Sequence, residues 1–162
     1  YKGLELLIEA VSKLSIAVEL HVVGEFYTDK TPYVELIEKH QLQEHVHLVD
    51  RFVSAAEVAK YFSAADIVVL PYKSATQSGV IAQAYQYETP LLVTDQPGLA
   101  NTIKEDKTGR VCKANALALA ENIELMLSGE EQKKYRMQLK KRKVNYQWDS
   151  FVEQWTAYVE KK

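Results

Sequence analysis

The chain has 162 residues, 47% of them apolar, and a formal net charge of −2 at pH 7. That is enough chain for one globular domain with a proper core, and the near-neutral balance gives no electrostatic case for nucleic acid as a partner. A single cysteine, Cys112, excludes an internal disulfide and a cysteine zinc cluster and points to a reducing compartment. No apolar run approaches the roughly 20 residues that span a bilayer. The start, Tyr1-Lys2-Gly3-Leu4, is neither a signal peptide nor an initiator methionine, so the expectation is a piece of a longer chain.

In chain order, Leu4, Leu6, Leu7, Ile8, Val11 and Leu14 repeat at helical spacing, with Glu5, Glu9 and Lys13 turned outward. Val18 to Val23 alternates as a strand and closes at Gly24. Phe26 to Pro32 reads as a loop in which Thr31-Pro32 opens a helix through Tyr33, Leu36 and Ile37 to about His40. Val46 to Val49 is a short strand with a polar exit at Asp50-Arg51. Ser54 with Glu57 three residues on is a capping-box pattern opening a helix that carries Val58, Tyr61 and Phe62. The central stretch follows: a strand at Ile67-Val68-Val69-Leu70, a polar loop from Tyr72 to Gln77, a helix opening at Ser78-Gly79, and a strand at Leu91 to Thr94. Asp95 to Gly98 leads into a short helix ending near Lys104, and Lys107-Thr108-Gly109 turns into a strand at Arg110 to Cys112. Ala116 to Leu127 is an amphipathic helix stopped at Ser128-Gly129; helices follow at Glu130 to Lys143 and Asp149 to Lys161. The last has Phe151, Val152, Trp155, Tyr158 and Val159 as its apolar positions.

Helices alternating with short β-branched strands, without hairpin signals, predict an α/β fold in which a parallel sheet is covered by helices on both faces. Ligands of such sheets bind outside the carboxyl ends of the strands. Here those ends are Gly24-Glu25, Arg51-Phe52, Tyr72 to Gly79 and Asp95 to Gly98, which are expected to line one crevice.

A strand that runs through a Ser/Thr loop straight into a helix aims unpaired backbone N–H groups and the positive end of the helix dipole at one spot. Ser78 and Gly79 are therefore the candidates for holding a phosphate, with Thr76 adding a hydroxyl and Gly79 no Cβ to obstruct an anion. The same pair also reads as an ordinary N-cap and turn glycine. Lys2, at the opening of the first helix, is placed to reach an anion in the same crevice, although a solvated lysine is the commoner fate.

His45 and His47 alternate on a strand without metal-ligand spacing. Trp148 and Trp155, seven apart, suggest core or interface packing, and Arg136, Lys140 and Lys143 a solvated face. Gln77-Ser78-Gly79 lacks the glycine of a nucleophile elbow, and no Gly-x-Gly-x-x-Gly or Walker loop is present.

Lys2-Gly3-Leu4, Val22-Val23-Gly24, Ala65 to Pro71, Thr89 to Asp95 and Lys107-Thr108-Gly109, in that order and spacing, resemble the C-terminal, nucleotide-sugar-binding half of group 1 (family four) glycosyltransferases of GT-B architecture. The resemblance covers nearly the whole chain. It implies a Rossmann-like three-layer sandwich with a mostly parallel sheet, truncated at its first strand together with that strand's basic residue. Residues 1–162 would then form one nucleotide-sugar-binding domain whose N-terminal partner domain, with the catalytic and acceptor residues, is absent. The implied reaction is retaining sugar transfer from a UDP- or GDP-sugar, without metal or other cofactor. Surface polysaccharide synthesis is its expected setting, in the cytoplasm and, for a longer protein, at the inner face of the membrane.

By position, Lys2, Gly24, Ser78 and Gly79 would hold the donor diphosphate, and Phe52 and Val53 would flank the nucleobase. The family usually has two glutamates eight positions apart, for the donor sugar and the ribose. This sequence has Ala75 and Gln83 there. Gln83 keeps the ability to hydrogen-bond a ribose diol, and the sugar role passes to Thr76 or Gln77 or is lost. Gln96-Pro97 and Asn101 also depart from the usual pattern near Gly98. A non-catalytic nucleotide-binding or protein-interaction domain that kept the fold is the alternative, and an unrelated flavodoxin-like binding domain is a third reading.

Overall fold

The computed structural model describes residues 1–146 and 148–160, without the side chains of 148, 149, 151, 153 and 154. Among the described residues, helices and strands alternate as α1 (Leu4–Val11), β1 (Leu20–Val23), α2 (Thr31–Lys39), β2 (Val46–Val49), α3 (Ala55–Ala64), β3 (Val68–Leu70) and α4 (Gly79–Gln86). They continue with β4 (Leu91–Thr94), α5 (Pro97–Asp106), β5 (Gly109–Cys112), α6 (Ala116–Leu127), α7 (Gly129–Arg142), a 3₁₀ turn (Lys143–Tyr146) and α8 (Trp148–Val159). The expected packing of Trp148 and Phe151 and the expected helix end at Lys161 lie outside the described residues.

Local chemistry accounts for the helix starts. Pro32 and Pro97 lie in the first turns of α2 and α5, where a missing N–H costs nothing. The Ser54/Glu57 capping box forms in full, and Asn115 caps α6 by accepting from the Ala118 N–H at 2.9 Å.

Every strand pair is parallel, but the strands form two sheets rather than the one expected: β1 with β2, and β3–β4–β5. β4 is buried along its length, as the centre of a three-strand parallel sheet requires, whereas the apolar side chains of β1 remain half-exposed. α1 bridges the two sheets. Its Leu7 and Ala10 pack into one apolar cluster with Leu92, Leu119 and Ile123, against which Leu20 of β1 and Val69 of β3 also lie. Its Ile8 and Val11 pack with Ile37 and Val46.

One further expectation is corrected, and the core-or-interface reading of Trp155 is narrowed. Arg136 and Lys143 are not a solvated face: Arg136 donates to the Ala65 carbonyl at 3.1 Å, and Lys143 pairs with Glu88 at 2.5 Å, so they clamp α7 and the turn after it to the rest of the fold. Lys140 is exposed, as expected. Trp155 is 60% exposed and therefore outside the core, with its ring 6.3 Å from that of Tyr158.

Candidate functional site: a crevice at the carboxyl ends of the strands

The loop from Tyr72 to Ser78 is held at both ends. Thr94, buried at the carboxyl end of β4, donates its hydroxyl to the Tyr72 carbonyl at 2.5 Å. The Tyr72 hydroxyl lies 3.4 Å from Ser78 Oγ. Below the loop, a Cβ on Gly98 would collide with the Thr76 backbone, so only glycine lets the start of α5 pass this closely. Ala75 turns inward against the cluster of Tyr72, Ile81 and Leu99.

The first residues join the same place. The Lys73 N–H donates to the Tyr1 carbonyl at 2.8 Å, and the Tyr1 and Tyr72 rings meet edge to face at 6.2 Å. Gly3 has φ +68° and rests on the Pro71 carbonyl, where a Cβ would collide. Lys2, between these two fixed residues, is exposed at the mouth of the crevice. Lys73 points back across α1 and pairs with Glu5 in its first turn. Partial burial pushes the Glu5 carboxyl up, but hydrogen bonding to Lys73 and to backbone outweighs it and holds the group below its ordinary value. The Lys73 ammonium is raised in turn by Glu5.

At the head of α4, Ser78 Oγ accepts from the Val80 N–H at 3.3 Å, so Ser78 is an N-cap in fact. The Gly79 N–H, first in the helix, has no partner within it, and nothing lies within 4 Å of where a Gly79 Cβ would stand. The N-cap reading and the anion reading are thus compatible: the cap takes the Val80 amide and leaves the Gly79 amide without a partner in the helix.

The other expected residues lie at the ends of β1 and β2. Gly24 ends β1 at φ +137°, and Asp50 ties the two strand ends together through the Phe26 N–H at 3.1 Å and Lys30 at 2.7 Å. Phe52 is 75% exposed and Val53 half-buried beside it. No hydrogen bond among the described residues joins this group to the 72–79 loop. Thr76, Gln77 and Gln83 are exposed. The structure therefore joins Lys2, Ser78 and Gly79 through Tyr1 and Tyr72, and leaves Gly24, Phe52 and Val53 on the other sheet.

A hollow of about 430 Å³ lined by Thr102, Glu105, Asp106, Arg142, Asn145 and Tyr146 lies elsewhere, at the amino ends of the strands where α5 finishes. Its central carboxylate is already engaged: Asp106 Oδ2 accepts from Tyr85 at 2.8 Å and Tyr146 at 3.1 Å, and Oδ1 lies 3.4 Å from Arg142. We read that hollow as a structural clasp. His47 and His45 share Glu19, at 2.6 and 3.6 Å. No group of described residues could hold a metal ion, and no helix among them is long and apolar enough to cross a membrane.

Helices alternating with strands that pair only in parallel make this an α/β domain of the Rossmann-like kind. Residues 1–145 match the family model described as glycosyl transferases group 1, and the chain belongs to that family.

Similar solved structures include WaaG, a glycosyltransferase involved in lipopolysaccharide biosynthesis, at 22% identity and TM-score 0.76, covering 88% of this chain and 39% of that one. Anabaena Alr3699/HepE in complex with UDP is 17% identical with TM-score 0.81, covering 100% of this chain and 46% of its own. The C-terminal domain of a glycosyl transferase group 1 family protein (LpcC) from Francisella tularensis is 17% identical with TM-score 0.78, covering 91% and 80%. This chain spans less than half the length of WaaG and HepE. No curated protein matches it.

Proposed function

We propose that this chain binds the nucleotide diphosphate of a sugar donor, a UDP- or GDP-sugar, at the crevice above β3. The observation that supports the reading is that the Tyr1–Tyr72 and Tyr72–Ser78 contacts tie the chain start with Lys2 to the loop that opens α4 at Gly79, in a chain whose family transfers sugars. HepE, solved with UDP, shares the fold along the whole of this chain. In this reading Lys2, Gly24, Ser78 and Gly79 serve the diphosphate, and Gln83 the ribose. Thr76 and Gln77 face the sugar, and Phe52 and Val53 flank the base. The reaction is retaining transfer in surface polysaccharide synthesis, in a cytoplasmic setting and, for a longer protein, at the inner membrane face. Acceptor and catalytic groups belong to a companion N-terminal domain, so the chain alone binds donor without turning it over.

Calorimetric titration with UDP and GDP tests this. Lys2→Ala removes a charge-assisted contact and is expected to weaken binding about 10-fold, and Gly79→Val places a branched side chain where the anion must sit and is expected to abolish it. Binding indifferent to both substitutions overturns the site.

Ala75, packed against the core, supplies no carboxylate to a donor sugar, which favours a second reading. In it the domain binds nucleotide or a protein partner without catalysis. Sugar transfer by a longer protein carrying both domains, lost on Gln83→Ala, decides for the enzyme; inactivity with a stable partner complex decides for the binding module.

A further inference from the structure

We propose that Lys73 is a second donor-phosphate cation and that Glu5 is its resident counter-anion, which a nucleoside diphosphate displaces. The inference rests on the donor-site reading above and assigns roles to two residues that neither the sequence pattern nor the family resemblance singles out.

Lys73 stands on the same loop as Ser78 and Gly79, and its backbone is fixed by the Tyr1 carbonyl beside Lys2. Its side chain is half-exposed and pairs with Glu5, in the first turn of α1 directly after the buried Gly3. Glu5 thus already exploits what an anion would seek in this crevice: an ammonium group and the positive end of a helix. A carboxylate at that position also repels an incoming phosphate unless Lys73 neutralises one or the other.

A diphosphate carries more charge than Glu5 and offers more acceptor oxygens, so it competes for the ammonium. The pair is exposed enough for its partners to exchange at small cost. Gly79 stands at the end of the loop, where α4 begins, whereas Lys73 stands near its start and reaches toward α1. Two centres that flank the mouth suit two phosphates rather than one. Lys73 therefore separates nucleoside diphosphates from monophosphates.

The test is calorimetric titration of the chain with UDP and with UMP at low salt, for wild type, Lys73→Ala, Glu5→Gln and the double variant. Thermal melting confirms that each is folded. Lys73→Ala is expected to weaken UDP about 10-fold and UMP less than about 2-fold, and Glu5→Gln to tighten UDP about 3-fold. Glu5→Gln is expected to give no tightening once Lys73 is gone, which is the coupling expected of a pair that acts as a unit. UDP binding that Gly79→Val abolishes but Lys73→Ala leaves unchanged overturns this inference alone. Weaker UDP binding by Glu5→Gln overturns the counter-anion role. Failure of the wild-type chain to bind UDP overturns the donor-site reading and this one with it.

Discussion

Glu57 shows how one residue can hold a strand–helix junction, the one between β2 and α3. Arg51 Nη2 donates to its Oε1 at 2.5 Å, and the Ser54 N–H and hydroxyl both donate to its Oε2 at 3.0 Å. Hydrogen bonding to Arg51, then to Ser54, lowers its carboxyl from 4.5 to about 2. The folded form is therefore favoured above the ordinary carboxylate value, and that contribution is lost as pH falls from 4.5 towards about 2. Glu57→Gln should lower the melting temperature at about pH 7, and the gap to wild type should close as the pH falls through that window. Denaturation followed across pH checks this. A gap of constant size would mean that the charge is irrelevant.

This device was legible beforehand because its members stand three apart at a helix start. The Lys73–Glu5 pair was not: its residues are far apart in sequence and come together only when the chain start docks on β3. Arg136 misled for the same reason. In a charged helix it reads as solvated, yet its partner is the Ala65 carbonyl, 71 positions away. Ala75 is a subtler case, since its departure from the family pattern was visible but its inward direction was not.

At the scale of elements, the helices and strands were placed to within a few residues because caps, prolines and apolar period mark them locally. What closes the fold is less local. Asp106, 9% exposed, accepts from Tyr85 on α4 and from Tyr146 on the 3₁₀ turn, and lies 3.4 Å from Arg142 of α7. The Tyr85 hydroxyl also lies 2.8 Å from Thr108 Oγ1, and burial raises its pKa well above the ordinary tyrosine value. One carboxylate thus fastens α4, α5 and the end of α7 at the amino edge of the sheet. Asp106→Ala removes the acceptor of a buried hydroxyl and should cost about 2 kcal/mol, or about 6 °C in melting temperature for a domain of this size. Asp106→Asn keeps an acceptor and should cost about half as much. An unchanged melting temperature for Asp106→Ala would show that the helices need no clasp.

At the scale of the whole molecule, the division into two sheets carries the most information. Side-chain pattern reveals that strands exist and which are buried, but not which edges meet, so one continuous sheet was the natural expectation. Backbone parity now describes the opening. Leu20 and Gly24 donate to β2, and Val68 donates to Pro90, so the even-numbered amides of β1 and β3 face their partners. The amides of His21, Val23 and Val69 alternate with these and point away from the paired strands, toward the unpaired edges. Lys73, three residues past β3, donates to the Tyr1 carbonyl, so the chain start lies beside the loop that leaves this strand.

The family resemblance implies one more apolar strand here, parallel to β1 and β3. Amide hydrogen exchange tests it residue by residue. In this chain Leu20, Val22, Gly24 and Val68 should exchange slowly, and His21, Val23 and Val69 at least about 10-fold faster. In a protein extended before Tyr1 by its own preceding residues, the second set should slow to match the first while the first changes little. If the extension slows neither set, or slows both alike, the gap is not a strand site and the two sheets are separate by design.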